Sequence, residues 1–122
     1  MPNALIIDAD QSLLELCRAI LARDGYEACI SNRSDQALDL AYDCQPDILI
    51  VNDTLPRVTG GEVCQQIRSD PNFHAIPIIM TSAANHAHDA AYAHQFGVDA
   101  ILPKPYLPAD LLQIVNHLLS AS

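Results

Sequence analysis

Positive charge is scarce in this chain of 122 residues, which sets six Lys and Arg against fifteen Asp and Glu for a formal charge of −9. The cations are Arg18, Arg23, Arg33, Arg57, Arg68 and one lysine, Lys104. So little positive charge argues against a nonspecific electrostatic grip on nucleic acid or on an anionic membrane. No apolar run approaches the roughly 20 residues of a membrane span. Met1-Pro2-Asn3 leads directly into a short apolar run, without a basic start or a small-residue cleavage site, so no signal peptide is expected. Gly and Pro together fill only twelve positions while half the residues are hydrophobic, so a disordered chain is not expected either. The cysteines, Cys17, Cys29, Cys44 and Cys64, form no C-x-x-C pair. They are expected as reduced, packed thiols of a cytoplasmic protein, with a zinc site or a disulfide framework as the lesser alternative.

What the chain does have is alternation between short apolar runs and longer amphipathic stretches. Ala4–Ile7 reads as a first strand ending at Asp8, and Leu13, Leu14, Cys17, Ile20 and Leu21 then recur at helical spacing up to Arg23. Asp10 sits where an N-cap belongs, and Gly25 follows the C-terminus. Tyr26–Ile30 is a second strand. Ser34 is expected to cap a helix carrying Ala37, Leu38, Leu40 and Ala41, which Gln45-Pro46 stops. Asp47–Asn52 is a third strand, apolar on both faces. After a loop with Pro56 and Gly60 comes a helix of about nine residues holding Val63, Cys64 and Ile67. Ile76–Thr81 is the fourth strand, Asn85–Phe96 a helix closed by Gly97, and Asp99–Leu102 a short fifth strand. Pro108 opens a last helix with Leu111, Leu112, Val115, Leu118 and Leu119 on its apolar face. Five strands alternating with five helices predict an α/β domain over 1–122, with a parallel sheet covered on both faces. In such a sheet function collects at the carboxyl ends of the strands.

Those ends carry Asp8-Ala9-Asp10, Asn52-Asp53, Thr81-Ser82-Ala83 and Lys104-Pro105. With Pro46-Asp47 opening the third strand, Pro56 and Gly60 after it, Ile76–Ala83 as the fourth strand and Gly97–Tyr106 around the lysine, the chain resembles the receiver domain of two-component response regulators over nearly its whole length. The resemblance implies a flavodoxin-like, doubly wound sheet in the order 2-1-3-4-5 and a cis Lys104–Pro105 bond. It also implies a phosphorylation pocket made of Asp8, Ala9, Asn52, Ser82 and Lys104. Two positions depart from the family. Ala9 replaces the second of two adjacent Mg²⁺-binding acids, and Asn52 stands where the family has its phosphoacceptor aspartate.

An amide is a poor nucleophile and forms no acyl phosphate, and Mg²⁺ prefers several anionic oxygens. No cofactor is therefore expected, with Mg²⁺ binding weak or lost. Lys104 is expected to donate to Asp8 and to the Asn52 carbonyl. Asp8, Asp10 and Asp53 are weak candidate metal ligands, Asp10 being also a natural N-cap and Asp53 being pointed away by strand alternation. His86, His88 and His94 beside Asp89 are read as exposed helix residues. The family's partner face would present Tyr92, Gln95, Ile101, Asp110 and Gln113, with Ile101 replacing the aromatic residue common there.

The expected function is a non-enzymatic signalling module acting without phosphorylation through a kinase, an output domain or a copy of itself, with no direct nucleic-acid or membrane contact. No DNA-binding module is expected beyond the fifth helix. The alternative is a phosphoacceptor that uses Asp53, or one in which Asn52 is an engineered replacement of aspartate. A nucleotide binder is disfavoured because no Gly-rich phosphate loop follows the first strand.

Overall fold

A computed structural model describes residues 2–83 and 90–120. The elements run β1 (Asn3–Ile7), α1 (Gln11–Arg23), β2 (Glu27–Ser31), a single 3-10 turn (Ser34–Gln36), α2 (Ala37–Cys44), β3 (Ile48–Asn52), α3 (Gly60–Ser69), β4 (Ile78–Ser82), α4 (Ala90–Phe96), β5 (Ala100–Pro103) and α5 (Pro108–Ser120). All strand pairs are parallel and the order is β2-β1-β3-β4-β5, as expected. The expected start of the fourth helix, with His86, His88 and Asp89, lies outside the described residues. His94 is exposed on α4. Among the described residues no helix is long and apolar enough to cross a membrane.

The period-2 alternation of the strands sorts their side chains into two cores. Leu5, Ile7, Leu49, Val51, Ile78 and Met80 pack under α2, α3 and α4 with Ala37, Ala41, Val63, Cys64 and Ile67. Ala4, Ile6, Ile48, Ile50, Ile79 and Leu102 pack under α1 and α5 with Leu14, Cys17, Leu21, Leu111 and Val115. This parity decides which face each residue at a strand end joins.

Local chemistry sets the boundaries. Asp10 caps α1 by accepting from the Leu13 amide at 3.2 Å, and Gly25 follows at φ 87°. Thr59 caps α3 by accepting from the Glu62 amide at 3.2 Å. Leu107 precedes α5, and its amide donates to Asp110 Oδ2 at 3.2 Å, the acidic half of a capping box. Ser34 does not cap α2 as expected. It is buried, and its Oγ accepts from the Val58 amide at 3.1 Å, so α2 starts from the 3-10 turn instead. β4 begins two residues later than the sequence suggests. Pro77 has no amide to donate, and the Ile76 carbonyl is taken by Arg68.

Two features lay outside the sequence pattern. Cys29 of β2 and Cys44 at the end of α2 are joined in a disulfide, in place of two of the four reduced thiols expected. Edge strand and helix end bring their Cα atoms to 6.4 Å, within bridging range. The second feature is Arg68, whose guanidinium reaches the carbonyls of Gly97 (2.7 and 2.9 Å), His74 (2.9 Å) and Ile76 (2.6 Å) and the Asp99 carboxylate (3.0 Å). Asp99 Oδ2 in turn accepts from the Ile78 amide at 2.8 Å.

The Arg68–Asp99 ion pair is partly exposed and contributes little on its own. The bonds to carbonyls matter more, because their loss leaves the part-buried Ile76 carbonyl without its donor just before β4. Arg68→Ala should cost about 1–2 kcal/mol. Arg68→Lys should recover less than half of that, since an ammonium cannot reproduce the fork. Urea unfolding midpoints for the three proteins measure both effects.

Candidate functional site at the carboxyl edge of the sheet

The parity of the strands divides the residues at this edge into two groups. Asp8 continues the α1/α5 face from Ile6, Asn52 continues it from Ile50, and Thr81 from Ile79. Asp53 and Ser82 continue the opposite face from Val51 and Met80. The hydrogen bonds follow the same division.

On the first face Lys104 Nζ donates to Asp8 Oδ2 at 2.7 Å. The Asp8 side chain is only 7% exposed and that of Lys104 20%. Asp8 Oδ1 accepts from the Asp10 amide at 3.0 Å, so both carboxylate oxygens are engaged. Asp10 itself is committed to capping α1. Asn52 Oδ1 accepts from the Thr81 hydroxyl at 3.3 Å, and its amide nitrogen donates to the Thr54 carbonyl at 2.9 Å. The Lys104–Asp8 contact therefore forms as expected, while the Asn52 carbonyl is held by Thr81 and not by Lys104. Ala9 is exposed beside Asp8 and contributes no ligand atom from its side chain.

On the second face the Ser82 hydroxyl donates to Asp53 Oδ2 at 2.6 Å, and the Thr54 hydroxyl to Oδ1 at 3.2 Å. Ser82 thus partners Asp53, correcting its expected place beside Asn52. Asp53 does point away from Asn52's face, yet it is a half-buried, doubly hydrogen-bonded acid and not a solvated one. Burial raises the Tyr92 phenol, and the nearby Asp53 charge adds to the shift. Counting parity from Ile79 and Met80 to the end of β4 was the available signal for both pairings.

Gly60 fixes the loop between β3 and α3 against this edge. Its amide donates to the Asp53 carbonyl at 3.0 Å, and a Cβ there would lie 2.2 Å from the Asn52 carbonyl oxygen. Only glycine permits that approach. Across the first face, the Tyr106 hydroxyl meets Cys17 Sγ at 3.1 Å. Burial, reinforced by the Cys17 thiol, pushes the Tyr106 phenol well above its ordinary range, so it packs as a neutral side chain. The Lys104–Pro105 bond is cis, as the resemblance implies. Asp10, Leu13, Ala83, Lys104, Pro105 and Tyr106 line a cleft of about 330 Å³.

The expected partner face is only partly presented. Gln95, Asp110 and Gln113 are exposed, whereas Ile101 is half-buried. Tyr92 turns toward the α3 side, where its ring meets Phe96 edge-on at 5.0 Å.

Removing Lys104 would leave Asp8 as a nearly buried anion with one amide donor. Lys104→Ala should cost about 3 kcal/mol. Adding Asp8→Asn, which keeps an oxygen for the Asp10 amide, should return roughly half of that loss. Chemical denaturation of both variants against the parent checks the order.

Comparison with known proteins converges on one family. Residues 4–116 match the model of the response regulator receiver domain. The chain is 33% identical over 119 residues to the DNA-binding dual master transcriptional regulator RpaA of Synechocystis, covering 98% of this chain and 49% of that protein. It is 29% identical over 118 residues to the alkaline phosphatase synthesis transcriptional regulatory protein PhoP of Bacillus subtilis, covering 97% and 48%. The chain thus spans about half the length of these curated relatives. Among solved structures, a response regulator of Chloroflexus aurantiacus superposes with a TM-score of 0.86 at 29% identity, covering 98% of this chain and 99% of that one. The chemotaxis response regulator CheY4 of Vibrio cholerae shares the fold with a TM-score of 0.89 at 24% identity, covering 97% and 98%. The chain belongs to the receiver-domain family of two-component response regulators.

Proposed function

We propose that this receiver domain signals without aspartyl phosphorylation, as a non-enzymatic interaction module. The observation that carries the reading is the chemistry of Asn52. It ends β3 at the position that the resemblance aligns with the phosphoacceptor, and its side chain is an amide held by Thr81 and Thr54. Its nitrogen lone pair is delocalised, so it offers no nucleophile for a phosphoryl group.

The donor set argues in the same direction. Mg²⁺ takes hard oxygen ligands in near-octahedral geometry, usually including one or two carboxylates. On the face that holds Asn52, Asp8 is the acid within the pocket, and its two oxygens are given to an ammonium and an amide. Ala9 offers a methyl group and Asp10 a carboxylate that already caps a helix. These residues do not fit a divalent cation, and Lys104 already neutralises the charge that a cation would offset in a pocket with three acids.

The partners of this reading are proteins: a kinase, an output domain or a second copy of the chain. The charge of −9 favours a protein partner over direct contact with nucleic acid. A cytoplasmic location belongs to the same proposal and rests on the family alone.

A second reading has one observation in its favour. Asp53 holds a hydroxyl partner, Ser82, at 2.6 Å, which is the acid–hydroxyl pairing a phosphoacceptor would use. One experiment separates the two. After incubation with acetyl phosphate and Mg²⁺, intact-mass measurement should find no phosphoryl adduct. A stoichiometric, base-labile adduct mapping to Asp53 would establish the second reading in its place. The double variant Ala9→Asp/Asn52→Asp should gain submillimolar Mg²⁺ binding by titration, whereas the parent should show none localised to Asp8.

A further inference from the structure

The Cys29–Cys44 pair lies toward the amino edge of the sheet, where the Asn3 side chain donates to the Cys44 carbonyl at 3.1 Å, and so away from the chemistry just described. We propose that it is a reversible thiol–disulfide site through which a dithiol reductant loosens α2 and the loop that follows Asn52.

Access separates this pair from the other cysteines. Cys29 is exposed on β2, the strand at one edge of the sheet, and Cys44 is half-buried at the last residue of α2. Both line an open groove of about 620 Å³ that also receives Asn3, Arg18, Tyr26 and Ala28. The groove gives an attacking thiolate a path to the sulfurs; its wall carries Arg18, already paired with Glu15, and the acids Glu27 and Asp43, so access and not charge is what it supplies. Cys17 and Cys64 are buried free thiols. Burial raises the Cys17 thiol and pushes that of Cys64 up to about 12, so neither supplies a competing thiolate.

The exchange balances without any further reactant. A thiolate of the dithiol attacks the exposed Cys29 Sγ, forms a mixed disulfide and releases the Cys44 thiolate, which takes up a proton. The second thiol of the reductant, deprotonated, then attacks its own sulfur in the mixed disulfide and releases Cys29, which is protonated in turn. Two electrons and two protons pass to the domain, and the reductant leaves as its own disulfide. A disulfide of the same class reverses the sequence.

The structural consequence follows from what the bridge encloses. It closes a loop with a sequence separation of 15 residues, containing the end of β2, the 3-10 turn and all of α2. Within that loop, buried Ser34 accepts from the Val58 amide at 3.1 Å. Val58 belongs to the loop that runs from Asn52 and Asp53 to Gly60. Opening the disulfide returns conformational freedom to a helix of only eight residues, and Ser34 passes that freedom to the loop beside the Asn52 pocket.

The test uses the intact chain in graded mixtures of reduced and oxidised dithiothreitol. Alkylation with iodoacetamide and peptide mapping should label Cys29 and Cys44 together in one two-electron step, reversed by oxidised dithiothreitol. Cys17 and Cys64 should label only after unfolding. Reduction should lower Tm by roughly 10 °C, and hydrogen exchange at residues 54–58 should rise several-fold. Cys29→Ser/Cys44→Ser should reproduce the reduced state and lose its redox response. If that variant does not fold, the reduced parent carries the comparison alone. Labelling of Cys29 and Cys44 without reductant, labelling only after unfolding, or unchanged exchange at 54–58 on reduction would each overturn the proposal.

Discussion

The Lys104–Asp8 pair organises the functional edge of this domain. A carboxylate that is 7% exposed tolerates its charge only with a close counter-charge and full hydrogen bonding, and Asp8 has both. The effect spreads along the chain. Lys104 holds Oδ2, the Asp10 amide holds Oδ1, and Asp10 then turns its own carboxylate onto the first turn of α1. The start of α1, the end of β1 and the turn after β5 are therefore positioned by one continuous series of bonds. The only lysine of an acidic chain sits against this nearly buried acid.

Pleating determines the chemistry available around that pair. Adjacent residues at a strand end face opposite ways, so Asn52 and Asp53 enter different neighbourhoods although they are consecutive. Asn52 joins Thr81 near the ion pair, whereas Asp53 joins Ser82 under the helices of the other layer. An acid one residue away from a lost acid is therefore no substitute for it by position alone. What Asp53 retains is a hydroxyl partner without the lysine, and what Asn52 retains is the neighbourhood without the carboxylate.

Much of the architecture was legible in the sequence because it rests on local, periodic signals. Apolar runs located the strands, Asp10, Gly25 and Gly97 marked helix ends, and strict alternation gave the parallel sheet. Boundaries moved where a side chain chose a distant partner over a local one. Ser34 went to Val58 instead of capping α2, and Arg68 took the Ile76 carbonyl that would have lengthened β4. At the site, the Lys104–Asp8 contact was legible from charge, since an acid and the lone lysine meet at the same sheet edge. The Ser82 pairing was missed because motif spacing alone places a residue at a strand end, whereas parity counted from Met80 puts Ser82 on the face of Asp53. The Cys29–Cys44 bridge was illegible for a related reason: a separation of 15 residues says nothing about Cα atoms that come to 6.4 Å.

Arg68 ties α3 to parts of the chain that follow it in sequence. Its acceptors at His74 and Ile76 lie close by, but those at Gly97 and Asp99 are 29 and 31 residues further on. During synthesis from the N-terminus, the guanidinium thus emerges long before half of its partners exist. The first three strands can pair while this corner is still held only by its near contacts. The end of α4 and the start of β5 supply its remaining acceptors, so one side chain joins the last third of the domain to the first two.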